Sequence, residues 1–408
     1  MTPTKNTVPG AATHPTHDYA APPLDLSPLM SGLFAILQQT DFAWALGLAG
    51  EDQASKLTML TGDLRRPPSA NGDGKRICSG FAYLATASAI SWANACRDHL
   101  YPVMRQSIES FDGRWSSIRS GLADRPYQYV SLGPGDGQKD SVILPDLGRE
   151  NPDLCYVPVD MSPEMLRLAG QTVVRGAKLS RGRILPMQLD FSVPGNLAEL
   201  RRLLDGLFGA QPVLFSLLGN TLANFDHDTA LLRTLAAELL RPQDRLVLEV
   251  ATVRRLDPAL AQEAGAEYER SRAFREFVTS ALMHYTDLHV DMDSVLVRGS
   301  VEGERGVLVK VLYQNRTEAG IRVTLVDRTE MSFEPGDTIR LAIIRKYLRD
   351  TGVCALLADA GVRKVDGTRS DLTGADGGRQ FGMDLAVLAP GGPNASPERT
   401  VARDIWRR

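Results

Sequence analysis

The segment Tyr129-Val130-Ser131-Leu132-Gly133-Pro134-Gly135-Asp136-Gly137 is a β-type run that ends in glycines at alternate positions. Without β-carbons there, a ligand can approach the backbone closely, as nucleotide-type cofactors require. Taken alone, the run also fits a tight turn in any α/β protein. Twenty-seven residues after Gly133, a second β-type run, Cys155 to Asp160, ends in a carboxylate suited to accept hydrogen bonds from both hydroxyls of a ribose. A third run ends in Asp190-Phe191, which can offer a carboxylate to an adenine amine and a ring or backbone to its face; a lone Asp there would otherwise be a helix cap. A fourth leads into Leu218-Gly219-Asn220-Thr221-Leu222-Ala223-Asn224-Phe225. Two amides at such an edge can bond a substrate amine or carboxylate without adding charge beside a cation. Either Asn could instead close an Asx turn.

The glycine spacing bears on which nucleotide binds. Dinucleotide sites favour G-x-G-x-x-G, whose third glycine packs the following helix on the strand. Here the pattern is G-x-G-x-G followed by the polar Gln138-Lys139-Asp140. S-adenosylmethionine is therefore expected over NAD, with its product S-adenosylhomocysteine. An NAD-dependent oxidoreductase would also need a catalytic pair that the sequence does not offer.

These residues need elements to position them. Strands are expected at YQYVSL, CYVPVD, ILPMQLD, PVLFSLL and RLVLEV, with helices starting near Ser162, Asn196, Asp226 and Asp257, the alternation of a doubly wound parallel sheet. The helix opening Ser162-Pro163-Glu164 has a capping hydroxyl, a first-turn proline and an acid at the positive end of the dipole. Before this region, LMSGLFAILQQ and the run from Phe81 to Phe111 carry apolar residues at helical spacing, separated by the polar loop RRPPSANGDGKR. After it, LHVDMDSVLVRGS, RGVLVKVLYQN, IRVTLVD and DTIRLAII alternate as antiparallel strands. A helix over KYLRDTGVCALLADAGV and a strand FGMDLAVLAP close the fold. The expected division is a disordered tail at 1–24, a helical substrate-side part at 25–120, a cofactor-binding Rossmann-like domain at 121–252, a β-rich insertion at 253–345, the end of the Rossmann-like domain at 346–390 and a tail at 391–408.

Composition removes several other functions. With 46 basic and 49 acidic side chains the formal charge is −3, which leaves no overall electrostatic footprint for nucleic acid or an anionic membrane. The four cysteines form no CxxC pair and suggest neither a metal site nor a disulfide framework. The first residues lack the basic start and apolar run of a signal peptide, and Phe81–Cys96 is too short to span a bilayer. A cytoplasmic protein, monomeric or homodimeric, acting on a small molecule is expected.

LGPGDGQKD, CYVPVDMS, Asp190-Phe191, LFSLLGNTLANF and the late RKY segment resemble, in this order, the histidine-specific, S-adenosylmethionine-dependent α-N-methyltransferases of ergothioneine biosynthesis. LGNTLANF carries most of the specificity, and the resemblance runs from about Gly80 to Pro390. It implies a class I methyltransferase sheet with an added α+β substrate-recognition part. It also implies that Gly133, Pro134, Gly135, Lys139, Asp160, Met161, Asp190, Phe191 and Gly219 hold the cofactor. On the same resemblance Asn224 holds the substrate amino group, Tyr101 and Tyr268 its carboxylate, and Tyr83 lines the reacting centre. Asn224 and Tyr83 are then the catalytic candidates.

Two departures matter. Where the family places an acidic residue and a serine to hold imidazole, this sequence has Ala342 and Ile344. An imidazole there would lack partners, at about 1–3 kcal/mol per unsatisfied buried group. An amino acid with an apolar or aromatic side chain, tryptophan or a modified tryptophan, is expected instead, as in secondary metabolism. Ser131 also stands where such methyltransferases commonly carry an acid facing the methionine part of the cofactor.

Overall fold

The computed structural model describes residues 47–48, 53–69, 73–122, 125–177, 179, 181–193, 195–373 and 378–391. The expected tail at 1–24, the helix expected over 29–39 and all but the first residue of the 391–408 tail lie outside them.

The chain begins with β1 (Gly47–Leu48), α1 (Gln53–Arg65) and β2 (Lys75–Arg76), then a 3₁₀ turn at Ser79–Tyr83, α2 (Thr86–Arg97), α3 (Pro102–Glu109) and α4 (Phe111–Ile118). There follow β3 (Gln128–Leu132), α5 (Gln138–Glu150), β4 (Tyr156–Asp160), α6 (Pro163–Gly176), β5 (Met187–Gln188), α7 (Asn196–Phe208), β6 (Val213–Leu217), α8 (Asp228–Leu239) and β7 (Arg245–Val253). Next come α9 (Pro258–Arg270), α10 (Arg272–Tyr285), β8 (Val295–Glu302), β9 (Gly306–Gln314), β10 (Ile321–Thr324), β11 (Glu330–Phe333) and β12 (Thr338–Leu348). The chain closes through α11 (Thr351–Asp359), β13 (Val362–Leu372) and β14 (Phe381–Pro390).

Strands β5, β4, β3, β6 and β7 lie side by side in that order and run parallel; β14 pairs antiparallel with β7, and β13 with β14. Every residue of β3, β4 and β6 is buried, because helices cover both faces. Helices α7, α8 and α11 pack one face through Leu200, Leu232 and Leu356, and α4, α5 and α6 the other through Trp115, Ile143 and Val173. The expected doubly wound sheet is present. Strand order reverses between β3 and β6, which opens a crevice over their carboxyl ends.

The cap of α6 is as read: Ser162 Oγ accepts the Met165 N–H, with Pro163 in the first turn. Gly137, the last glycine of the turn, has φ 78°, and a Cβ there would come within 2.8 Å of the Ala169 carbonyl oxygen. This glycine therefore permits the close packing of α5 on α6, a helix–helix contact where the third glycine of the longer spacing serves helix on strand.

Strand β7 outlasts β6, and its end, Thr252 and Val253, pairs with Tyr347 and Leu348 of β12. Strands β12, β9 and β8 continue antiparallel from there, forming a second layer with α1, α9 and α10. Two expectations need correction here. Residues 346–348 are strand, and the helix runs only over Thr351–Asp359. The ionic character of Arg345-Lys346 reads as a helix start, whereas both are buried in ion pairs within a strand. Second, β13 was not expected at all: its side chains are mostly half-exposed and polar, so it carries no hydrophobic signal.

Candidate active site

The crevice holds three adjoining cavities, and Tyr83, Trp92 and Asn224 line all of them. Asn224 sits on the turn after β6. Its side-chain amide has no hydrogen-bond partner among the described residues, so both ends remain available to a ligand. Asn220 differs: its backbone is left-handed (φ 63°), its Oδ1 accepts the Ala251 N–H at 2.8 Å and its Nδ2 donates to the Arg345 carbonyl at 3.0 Å. It latches β7 to β12, so its amide closes no Asx turn and is already engaged by backbone groups where it lines the crevice.

The first cavity lies over β3 and β4. Gly133 and Gly135 form its floor, with Asp160, Met161, Asp190 and Phe191 along one side. Asp160 accepts the Ser162 N–H at 2.8 Å, and burial pushes its carboxyl up to about 7 against that bond, with the charge of Asp190 adding to the rise. Asp190 is more engaged than its sequence suggests. Ser192 donates to Oδ1 through both its N–H (2.8 Å) and Oγ (2.6 Å), while Lys56 of α1 reaches Oδ2 at 2.5 Å. Phe191 packs near Phe225, ring centroids 5.9 Å apart.

The second cavity extends past Pro134 to Gly219 and Lys139. Lys139 does not project freely into it: its ammonium pairs with the fully buried Glu249 and donates to Ser107 Oγ at 2.9 Å. Glu249 also takes Arg114 at 2.6 Å and the Gly219 N–H at 2.6 Å. These cations overcome the effect of burial and hold its carboxyl below the usual range. Of the charged groups in the lining, Lys139 is the cation, beside the carboxylates of Asp136 and Asp140.

The third cavity lies under the second layer, where Ala342 and Ile344 of β12 form an apolar wall with Phe274, Phe277 and Val278 of α10 and Met383 of β14. Tyr101 and Tyr268 meet there, centroids 5.2 Å apart, with the Lys346 ammonium 5.2 Å from the Tyr268 ring and paired to Glu267. Tyr83 stands edge-on to Phe277 at 4.7 Å. Burial raises the pKa of all three tyrosines, so they remain hydroxyl donors at neutral pH. His99 and His227 are both exposed.

Every residue expected from the sequence to touch cofactor or substrate thus lines one of the three cavities. Trp92, the α10 aromatics, Met383, Ser79 and the Arg114–Glu249 pair that engages Lys139 had no sequence signal, since their positions in the site depend on packing between distant elements.

A parallel sheet with this strand order, a glycine turn at its reversal point and an acid ending the next strand suit a nucleotide-type cofactor, and the fold is that of a class I S-adenosylmethionine-dependent methyltransferase. The chain belongs to the histidine-specific, S-adenosylmethionine-dependent methyltransferase family, whose model matches residues 69–371. No match was found among curated proteins. Among solved structures the chain is similar to magnesium protoporphyrin IX methyltransferase from Synechocystis PCC 6803 with bound S-adenosylhomocysteine (10% identity, 76% of this chain and 97% of that one, TM-score 0.39). It is also similar to an S-adenosylmethionine-dependent methyltransferase from Clostridium acetobutylicum (12%, 67% and 89%, TM-score 0.33) and to the glycopeptide N-methyltransferase MtfA complexed with sinefungin (15%, 70% and 87%, TM-score 0.33).

Proposed function

We propose that the protein methylates the α-amino nitrogen of a free amino acid whose side chain is large and apolar or aromatic, tryptophan or a modified tryptophan in preference to histidine. The observation carrying this reading is the third cavity: a free amide at Asn224 faces a wall built from Ala342, Ile344 and the α10 aromatics, without a charged group to meet an imidazole.

S-adenosylmethionine supplies an electrophilic methyl group on a sulfonium. The first two cavities suit it: Asp160 would meet the ribose, the glycine turn lets the backbone approach, and the Lys139 ammonium suits a carboxylate. Asn224 Oδ1 would accept a hydrogen bond from the substrate amine and hold its lone pair in line for transfer. Tyr101 and Tyr268 would donate to the substrate carboxylate, and Tyr83 would close the junction against water. With their hydroxyls held protonated, Tyr101 and Tyr268 hold the carboxylate and do not take the amine's proton, which passes to solvent.

A mass-spectrometric screen of purified protein with S-adenosylmethionine against the free amino acids, including prenylated and halogenated tryptophans, tests the reading. Methyl increments on tryptophan-type substrates are expected. Product from histidine alone would overturn the substrate assignment while leaving the chemistry intact, and no product from any amino acid would overturn both.

A further inference from the structure

Asp140, in the first turn of α5, is fully buried and plays no part in the mechanism above. Its carboxylate accepts hydrogen bonds from three hydroxyls: Tyr129 at 2.6 Å and Ser131 at 3.1 Å, both on β3, and Tyr156 on β4. Tyr129 also meets Ser216 Oγ on β6 at 2.8 Å. A knot that only tied the helix to the sheet would have no need to open on a ligand cavity. Both Ser131 and Asp140 nevertheless line the second cavity, between Gly133 and Gly219. The methionine end of S-adenosylmethionine carries an ammonium as well as a carboxylate. The Lys139 ammonium lining this cavity suits the carboxylate, and the ammonium needs an acceptor of its own.

We propose that Asp140 is a positioning residue for the cofactor's amino group: it orients and polarises the Ser131 hydroxyl, whose lone pairs accept the ammonium N–H, and its own negative charge balances the ammonium. The carboxylate missing from position 131 of the strand is thereby supplied from the helix, nine residues on. The proposal concerns cofactor binding alone and stands whatever the methyl acceptor proves to be.

The test compares S-adenosylhomocysteine with its desamino analogue, in which hydrogen replaces the α-ammonium, by calorimetry on the full chain. Asp140→Asn keeps the shape and an acceptor for the surrounding hydroxyls. It is expected to weaken S-adenosylhomocysteine about tenfold, in the range of a charge-assisted hydrogen bond, and the desamino analogue less than about twofold. Ser131→Ala, which keeps Asp140 intact, is expected to show the same selectivity. Equal losses for both ligands, or none, would reduce Asp140 to a structural knot and overturn the proposal. So would selective loss in Asp136→Asn with none in Ser131→Ala, which would assign the amino group to Asp136 in the same cavity. If Asp140→Asn does not fold, Ser131→Ala decides alone.

Discussion

Two residues carry the sharpest expectations. Asn224→Ala removes the amide proposed to align the amine; turnover should fall by at least about 10²-fold, the loss typical of a positioned polar group, with S-adenosylhomocysteine affinity unchanged. Undiminished turnover would remove Asn224 from the reaction. Asp160 predicts a pH dependence. Burial raises its carboxyl to about 7 without ligand, and ribose hydroxyls favour the ionised form, so binding lowers that pKa. Affinity for S-adenosylhomocysteine should therefore fall as pH drops through about 7, with a proton released on binding below that value. Calorimetry in buffers of different ionisation enthalpy measures this release; if Asp160→Asn leaves the limb near 7 unchanged, Asp160 is not its source. A limb near 6 would belong to Asp140, pushed up to about 6 by burial. Such residues were legible in sequence because strand ends in a doubly wound sheet all point into one crevice, so a Gly, Asp or Asn at each end needs no tertiary information. Asp140 was not legible, since a polar residue in a helix's first turn looks solvated until β3 and β4 are seen to surround it.

Elements were legible where burial is uniform and obscure where it is not. The five parallel strands read as continuous apolar runs because both faces are covered, although β5 is shorter and β7 longer than those runs suggest. Strand β12 hid its end because its charges are paired inside the protein. That end organises the turn bearing Asn224: Arg345 donates to the carbonyls of Phe225 at 2.6 Å and Asp226 at 3.2 Å and pairs with Glu302, while its own carbonyl takes Asn220 Nδ2. Asn220→Ala would lose two buried hydrogen bonds and leave their backbone partners unsatisfied, at about 2–4 kcal/mol, in a left-handed position that alanine tolerates poorly. Chemical denaturation should show a loss of that size, and a change below about 1 kcal/mol would mean that the latch contributes little. Kinetics should separate this from Asn224→Ala, because displacing the turn raises KM and lowers kcat together. The other end of the substrate wall is open to redesign: Ala342→Glu with Ile344→Ser restores the polar pair of the resembling family, and preference should shift toward histidine. A folded double variant with unchanged preference would show that β12 does not read the side chain.

At the scale of the molecule, the two layers share their interiors instead of merely touching. Val253 of β7 and Phe381 of β14 lie in one buried cluster with Ile339, Leu341 and Ile344 of β12, whereas Tyr347 of that strand lies in the α/β core beside Leu356. Ion pairs cross the same boundary: Arg305 and Arg345 both reach the buried Asp228 of α8, and Arg340 reaches Asp226. Separating the layers would expose this shared apolar cluster to water and break the buried pairs, a cost that opposes unfolding of either layer alone. The described parts should therefore unfold in one transition, with the calorimetric and van't Hoff enthalpies equal and the near- and far-ultraviolet dichroism melting together. S-adenosylhomocysteine at a hundred times its Kd should raise the stability of that single transition by about 2.7 kcal/mol, since the crevice draws residues from both layers. Two resolved transitions, with ligand shifting only the one that belongs to the parallel sheet, would show instead that the substrate layer folds on its own and that Asn224 meets its apolar wall across a hinge.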